Sequence, residues 1–148
     1  ENPLDDILRQ AVRKFAKMFI LKKITLDFQE TGRTVLTDEK WLSFIVEQIL
    51  SNAVKYTQQG SVTIRVEGDR QLVIEDTGIG IAAEDIPRIF EKGYTGENGR
   101  LGKKSTGIGL YLSQMAAKKL GHTISVESIP GEGSSFKIDL SSYALQVE

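Results

Sequence analysis

The sequence predicts a two-layer α/β sandwich, a mixed and mostly antiparallel sheet covered on one face by three helices. Three stretches carry apolar residues at helical spacing, the first over about residues 4–21, the second between Thr37 and Thr57, the third from Leu110 to Leu120. About six short segments alternate apolar and polar residues, as strands with one buried face do. Their order is helix, two strands, helix, two strands, loop, helix, two strands. Amphipathic helices and half-buried strands satisfy each other by stacking as layers.

The 148 residues suffice for one domain with its own core. An apolar fraction of 40% and a charged fraction of 26% are those of a globular protein. The formal charge of -1 gives no bulk attraction for nucleic acid. No cysteine is present, which excludes disulfides and thiolate metal sites and suits a reducing compartment. No apolar run reaches membrane-spanning length, so no direct membrane contact is expected. The start, Glu1-Asn2-Pro3-Leu4, lacks an initiator Met and reads as a piece of a longer or processed chain.

The first helix carries Leu4, Ile7, Leu8, Ala11, Val12, Phe15 and Phe19 on one face, with Pro3, Asp5 and Asp6 suited to its first turn. Leu26 and Phe28 mark a strand, and Val35-Leu36 a short second one or an edge. Thr37 or Asp38 caps the next helix. Its inward stripe reads Trp41, Phe44, Ile45, Ile49, Ala53 and Tyr56, with the amides of Gln48 and Asn52 on or beside it. A buried amide without a partner costs about 1–3 kcal/mol, so these two border a cavity or bond core backbone. The helix ends near Thr57, and Gly60 starts a turn. Val62, Ile64 and Val66 form a strand, Gly68-Asp69 a hairpin turn, and Leu72 to Glu75 its antiparallel partner.

That second strand runs into Glu75-Asp76-Thr77-Gly78-Ile79-Gly80-Ile81, around which the chain is organised. Asp76 is an acceptor on a rigid element, suited to a purine amino group or a polar core partner. Gly78 and Gly80 remove side chains where backbone approaches a ligand, or simply build a tight turn before a short helix that begins near Ala82. Ile81 to Phe90 holds a short helix or turn, interrupted by Pro87. Residues 93–106 lose all periodicity, as lids, binding loops and disordered segments do. Thr106-Gly107-Ile108-Gly109-Leu110 then feeds a helix start, where free N–H groups suit phosphate, and Ser105 and Thr106 add hydroxyls. Lys55, Arg100, Lys103 and Lys104 serve either phosphate or solubility. Gly121 closes this helix. His122, the one histidine, reads as a solvent-edge or capping residue. Two last strands around Ile124 and Phe136 flank Pro130-Gly131-Glu132-Gly133, and the tail beyond Tyr143 is peripheral. No Walker loop, protein-kinase signature or dinucleotide glycine triplet occurs.

Three segments, Ser51-Asn52-Ala53-Val54-Lys55-Tyr56-Thr57, Ile89-Phe90-Glu91-Lys92-Gly93-Tyr94 and Ser105-Thr106-Gly107-Ile108-Gly109-Leu110, make the chain resemble the catalytic, ATP-binding domain of bacterial sensor histidine kinases. That domain has the Bergerat-type fold shared with DNA gyrase, the large heat-shock chaperone and mismatch-repair ATPases. The resemblance runs from about Leu4 to Leu140, and Gly99-Arg100-Leu101-Gly102-Lys103-Lys104 with Tyr111-Leu112 resembles kinases partnered with peptide-antibiotic transporters in Gram-positive bacteria.

The resemblance implies one catalytic domain over 1–148, with 93–106 as its ATP lid, and ATP and Mg²⁺ as ligands. It implies Asn52 as the Mg²⁺ ligand, Lys55 near the phosphates, Tyr56 beside the nucleotide and Asp76 under the adenine amino group. Gly78, Gly80 and Ile81 line the base, Phe90 with Lys92 and Tyr94 leads into the lid, and Arg100, Ser105, Thr106, Gly107, Ile108, Gly109 and Leu110 meet the phosphates. Gly131 and Gly133 support the sheet turn. Gln48 stands where related ATPases place a glutamate base and many kinases an asparagine. A glutamine takes no proton from water, which favours transfer over hydrolysis and leaves Gln48 a candidate second metal or water ligand. The implied partners are a histidine-bearing dimerisation domain of the same or sister protomer and, through the whole kinase, a response regulator. The implied location is the cytoplasmic portion of a membrane sensor. A catalytically inactive binding module of this fold and a serine-directed, anti-sigma-like kinase are the alternatives.

Overall fold

The computed structural model describes residues 2–93 and 108–141. Chain order is β1 (Asn2–Pro3), α1 (Leu4–Leu21), β2 (Ile24–Phe28), β3 (Thr34–Val35), α2 (Glu39–Tyr56), β4 (Gly60–Glu67), β5 (Gln71–Asp76), a 3₁₀ turn (Ile86–Arg88), α3 (Ile108–Leu120), β6 (Thr123–Ile129) and β7 (Gly133–Asp139). Five strands form one sheet in the order β2-β4-β5-β7-β6, with only the β2–β4 pair parallel. The helix α2 is the crossover between those two parallel strands. The expected mixed, mostly antiparallel sheet with three helices is therefore present.

Period-two alternation decides which side chains meet the helices. Val62, Ile64, Leu72, Ile74, Ile124, Phe136 and Ile138 join the core with Leu4, Ile7 and Leu8 of α1 and Ile45, Ile49 and Leu50 of α2. On the opposite face Arg65 pairs with Glu67 and Glu75, and Lys137 with Glu67 and Glu127. Val73 lies between Arg65 and Lys137 in the ladder and is fully buried on this outer side. Long aliphatic stems of that kind cover apolar surface while their charged ends stay in water.

Asp5 does more than complement the α1 dipole. Its carboxylate accepts from the Thr31 N–H (2.9 Å), the Thr31 hydroxyl (2.9 Å) and the Gly32 N–H (3.0 Å), which ties the β2–β3 connection to the helix start. Burial pushes this carboxyl up, but the Thr31 and Gly32 donors and Arg9 outweigh it and leave it below the usual carboxylate range. At the start of α2, Asp38 caps the N–H groups of Lys40 (3.0 Å) and Trp41 (3.2 Å).

Several expectations need correction. Asn2–Pro3 forms an extra two-residue strand paired with β3, which itself covers Thr34–Val35 rather than Val35-Leu36. Gly60 opens β4 instead of a turn. Of the short helix or turn expected between Ile81 and Phe90, the turn is what forms: turns and a three-residue 3₁₀ turn, with no α-helix from Ala82. The stripe of α2 is rotated: Trp41 is 48% exposed, while Leu42, Val46 and Leu50 are fully buried. The middle helix of the layer has α1 on one flank and α3 on the other, so its buried arc is wide. His122 is neither at the solvent edge nor a side-chain cap; it is buried, with Nδ1 2.6 Å from the Ser141 carbonyl and Nε2 3.0 Å from the Thr37 hydroxyl. Only its backbone N–H takes part in the helix end: His122 N donates to Ala117 O and Gly121 N to Lys118 O, with Gly121 at φ +78. Of the proposed lid 93–106 only Gly93 falls within the described residues, and the tail beyond Tyr143 lies outside them.

Candidate functional site

Two chain segments meet α2: the loop after β5 reaches its end at Tyr56, and the first turn of α3 lies against Gln48 at mid-helix. Asp76 is in phase with Leu72 and Ile74, so its carboxylate lies on the helix side at the strand's end, 7% exposed. Its Oδ1 accepts from the Gly78 N–H (2.9 Å) and the Ser134 N–H (3.3 Å). Two backbone donors thereby fix the orientation of the carboxylate.

The glycines of this loop face protein. A Cβ on Gly78 would overlap the Tyr56 carbonyl oxygen and lie 2.9 Å from Thr57 Oγ1. One on Gly80, whose φ is +76, would run into the Ile129 carbonyl and lie 2.8 Å from Pro130 Cα. The space a side chain would take at these glycines is therefore filled by α2 and the β6–β7 turn. Ile79 N donates to Tyr56 O (3.1 Å) and Gly131 N to Ile79 O (2.7 Å), which holds the loop from both sides.

On α2, Asn52 is nearly buried at 9% exposure, and its amide bonds no other described residue but keeps contact with solvent. Lys55 is exposed one turn on, and Tyr56 is half-buried. The α2 C-terminus is capped by Lys22, whose Nζ donates to the carbonyls of Val54 (2.5 Å) and Lys55 (3.2 Å) and sets a cation on the negative end of the helix. Gln48 faces α3: a Cβ on Gly109 would overlap its Oε1 and lie 3.0 Å from its Cδ. That oxygen is the far end of a flexible side chain, so the overlap shows how near Gln48 lies to the start of α3 without requiring glycine there. Ile108 and Gly109 are half-buried and Leu110 is buried, while Ser113 donates to the Gly109 carbonyl (2.8 Å).

Ile81 is buried beneath the loop, Phe90 packs against the core, and Lys92 lies 5.9 Å over the Tyr111 ring. Tyr94, Arg100, Ser105, Thr106 and Gly107 lie outside the described residues. Lys22, Thr57, Ser128 and Ser134 are site residues that the sequence reading missed. Nothing in the spacing of Lys22 or Ser128 signals that either reaches the site. A cavity of about 380 Å³ opens on the other face of the sheet between Thr63, Glu75, Glu127 and Ser135, and Asp76, Ser128 and Ser134 also line it.

Residues 37–143 match the family described as histidine kinase-, DNA gyrase B- and HSP90-like ATPases. The chain is 41% identical over 138 residues to the sensor protein BceS of Halalkalibacterium halodurans, covering 91% of this chain and 41% of that protein. Among solved structures, the mycobacterial sensor histidine kinase MprB superposes with a TM-score of 0.80 at 22% identity, covering 94% of this chain and 95% of that one. Full-length ShkA in complex with AMPPNP gives 0.78 at 23% identity, over 94% of this chain and 31% of that one. The chain belongs to this ATPase family and has the fold of histidine kinase catalytic domains. It spans about two fifths of the length of the BceS relative, 41%.

Proposed function

We propose that this member of the histidine kinase-like ATPase family binds ATP with Mg²⁺ and donates the γ-phosphoryl group to a histidine on a separate domain. The observation that carries the reading is the Asn52 amide, which a largely buried residue holds at this site with no bond to another described residue. The Asn52 amide is bonded to no described residue and still open to solvent, and an amide oxygen is a fitting ligand for a hard cation. The residues present fit the ligand pair: Asn52 would hold the metal, Lys55 the phosphates, and Asp76 the 6-amino group of adenine. Magnesium supplies charge neutralisation on the phosphates.

In the transfer, a nitrogen of the acceptor imidazole forms a bond to the γ-phosphorus as the bond to the bridging oxygen breaks. The electron pair of the broken bond leaves with ADP. This chain contributes position and charge to that exchange. Gln48 abuts Gly109 and cannot take a proton from water, so no residue on this face of α2 prepares a water for attack. The lone histidine is buried at the far end of α3 and is not the acceptor. The acceptor belongs instead to a histidine-bearing dimerisation domain of the same or sister protomer, and a response regulator would take the phosphoryl group from there. No helix among the described residues is long and apolar enough to cross a membrane, in keeping with the cytoplasmic portion of a membrane sensor. The sequence from Gly93 to Thr106 is proposed as the lid.

The test is titration of the chain with ATP and Mg²⁺, then incubation of the loaded chain with a histidine-bearing helical domain of a related kinase. Saturable binding below millimolar ATP and acid-labile label on histidine are expected. Absence of binding up to millimolar ATP refutes the reading. Tight, ATP-independent complex formation without label would make the chain a binding module.

A further inference from the structure

We infer that Ser128 is a positioning residue for adenine recognition, because its hydroxyl locks the loop after β5 onto the β6–β7 hairpin. The inference rests on the nucleotide reading above. Ser128 lies opposite Ser134 in the β6–β7 ladder. Its Oγ accepts from the Ile81 N–H (2.7 Å), contacts Ser134 Oγ (2.8 Å) and donates to the Gly133 carbonyl (2.9 Å). One hydroxyl has a single proton and two lone pairs, so with Ser134 as donor every bonding position of Ser128 is used.

These bonds close a ring around the loop. At its beginning, Asp76 Oδ1 is held by the Ser134 N–H. At its end, Ile81 N is held by Ser128. The contact between the two serines joins the ends. Ser128 therefore fixes where the buried Ile81 sits relative to the Asp76 carboxylate. A base pressed between them is judged at its 6-position, where an amino group donates to Asp76 and an oxo group opposes it. Removing the Ser128 hydroxyl takes away three hydrogen bonds, one of them to the Ile81 N–H, without removing any side chain that would meet the nucleotide. Ile81 N–H and the Gly133 carbonyl lose that partner, and the loop is freed at one end.

The experiment compares the wild-type chain with Ser128→Ala and Ser128→Thr, titrating each with ATP·Mg²⁺ and GTP·Mg²⁺. Loss of ATP affinity by about five- to tenfold is expected for Ser128→Ala, the scale of one or two hydrogen bonds. GTP affinity should stay nearly constant, so the ATP/GTP ratio falls, and Ser128→Thr should restore it. Unchanged ATP affinity, or equal losses for ATP and GTP, overturns the positioning role. A wild-type chain that binds neither nucleotide removes the adenine reading and this inference together. A wild-type chain that binds ATP while Ser128→Ala matches it removes this inference alone. A second measurement needs no variant: the Ile81 amide of the unliganded chain should be protected from hydrogen exchange. Exchange at the unprotected rate would overturn the inference even if Ser128→Ala fails to fold.

Discussion

Alanine at Gly133 and alanine at Gly131 should have very different costs, although both glycines lie in the same hairpin. Gly131 has φ +83 and open space where a Cβ would go. Its alanine variant suffers only the left-handed backbone, roughly 1–2 kcal/mol. Gly133 has φ +133, and its Cβ would lie 2.9 Å from both the Asp76 carbonyl carbon and Thr77 Cα, with the Asp76 carbonyl oxygen nearer still. Backbone on neighbouring strands cannot step aside as a flexible side chain can. Overpacking of that kind adds about 1–3 kcal/mol, for a total of about 2–5 kcal/mol. Urea denaturation followed by far-UV circular dichroism measures both variants against wild type. The Gly133→Ala midpoint should fall well below that of Gly131→Ala. ATP affinity should fall with it, because the displaced carbonyl belongs to Asp76, while Gly131→Ala keeps its affinity. If both variants lose the same stability to within about 0.5 kcal/mol, the additivity margin for single sites, the close-approach argument is refuted.

Three other outcomes follow from the same geometry. Asn52→Ala should abolish most of the Mg²⁺-dependent part of ATP affinity while leaving stability unchanged or slightly raised; calorimetric titration with and without Mg²⁺ would expose an equal loss in both conditions, against the reading. Thr57 is fully buried and its hydroxyl has no partner among the described residues, so Thr57→Val should raise the urea midpoint by about 1 kcal/mol equivalent. A loss of that size would mean that the hydroxyl is bonded after all. Burial holds the His122 imidazole below its ordinary range, against the Ser141 carbonyl and the Asp139 charge, which favour the protonated form. The fold therefore binds its proton less readily than the unfolded chain. The stability this gives is whole above about pH 6.5 and is lost as pH falls towards the folded value, by up to about 1.4 kcal/mol per unit. Denaturation at pH 7.5 and 5.5 should show a smaller pH effect in His122→Gln than in wild type, and equal effects would refute the assignment.

What was legible in the sequence was local. The α1 stripe, the β4–β5 and β6–β7 hairpins and the Asp38 cap each follow from spacing within a few residues, and each is present. The expected α2 stripe fails at Trp41 because a helix period says how apolar residues cluster and not how many neighbours will cover them. The burial of His122 is not written locally, because Thr37 and Ser141, which bond its ring, are 85 and 19 residues away in the chain.

The sequence by itself determined the layer architecture and the residue types of the site: an amide on a helix, a carboxylate at a strand end, glycines at the joins. Hydrophobic periodicity and turn chemistry act over one or two turns of chain, so they are written in order along it. Only the tertiary structure decided what those groups do. It placed Gly78, Gly80 and Gly133 against backbone from other elements, bound Asp76 to Ser134 across the sheet, and brought Ser128 under Ile81, 47 residues away. Hydrogen bonds and steric contacts depend on distances of a few ångströms between parts far apart in the chain, and those distances exist only once the layers have packed.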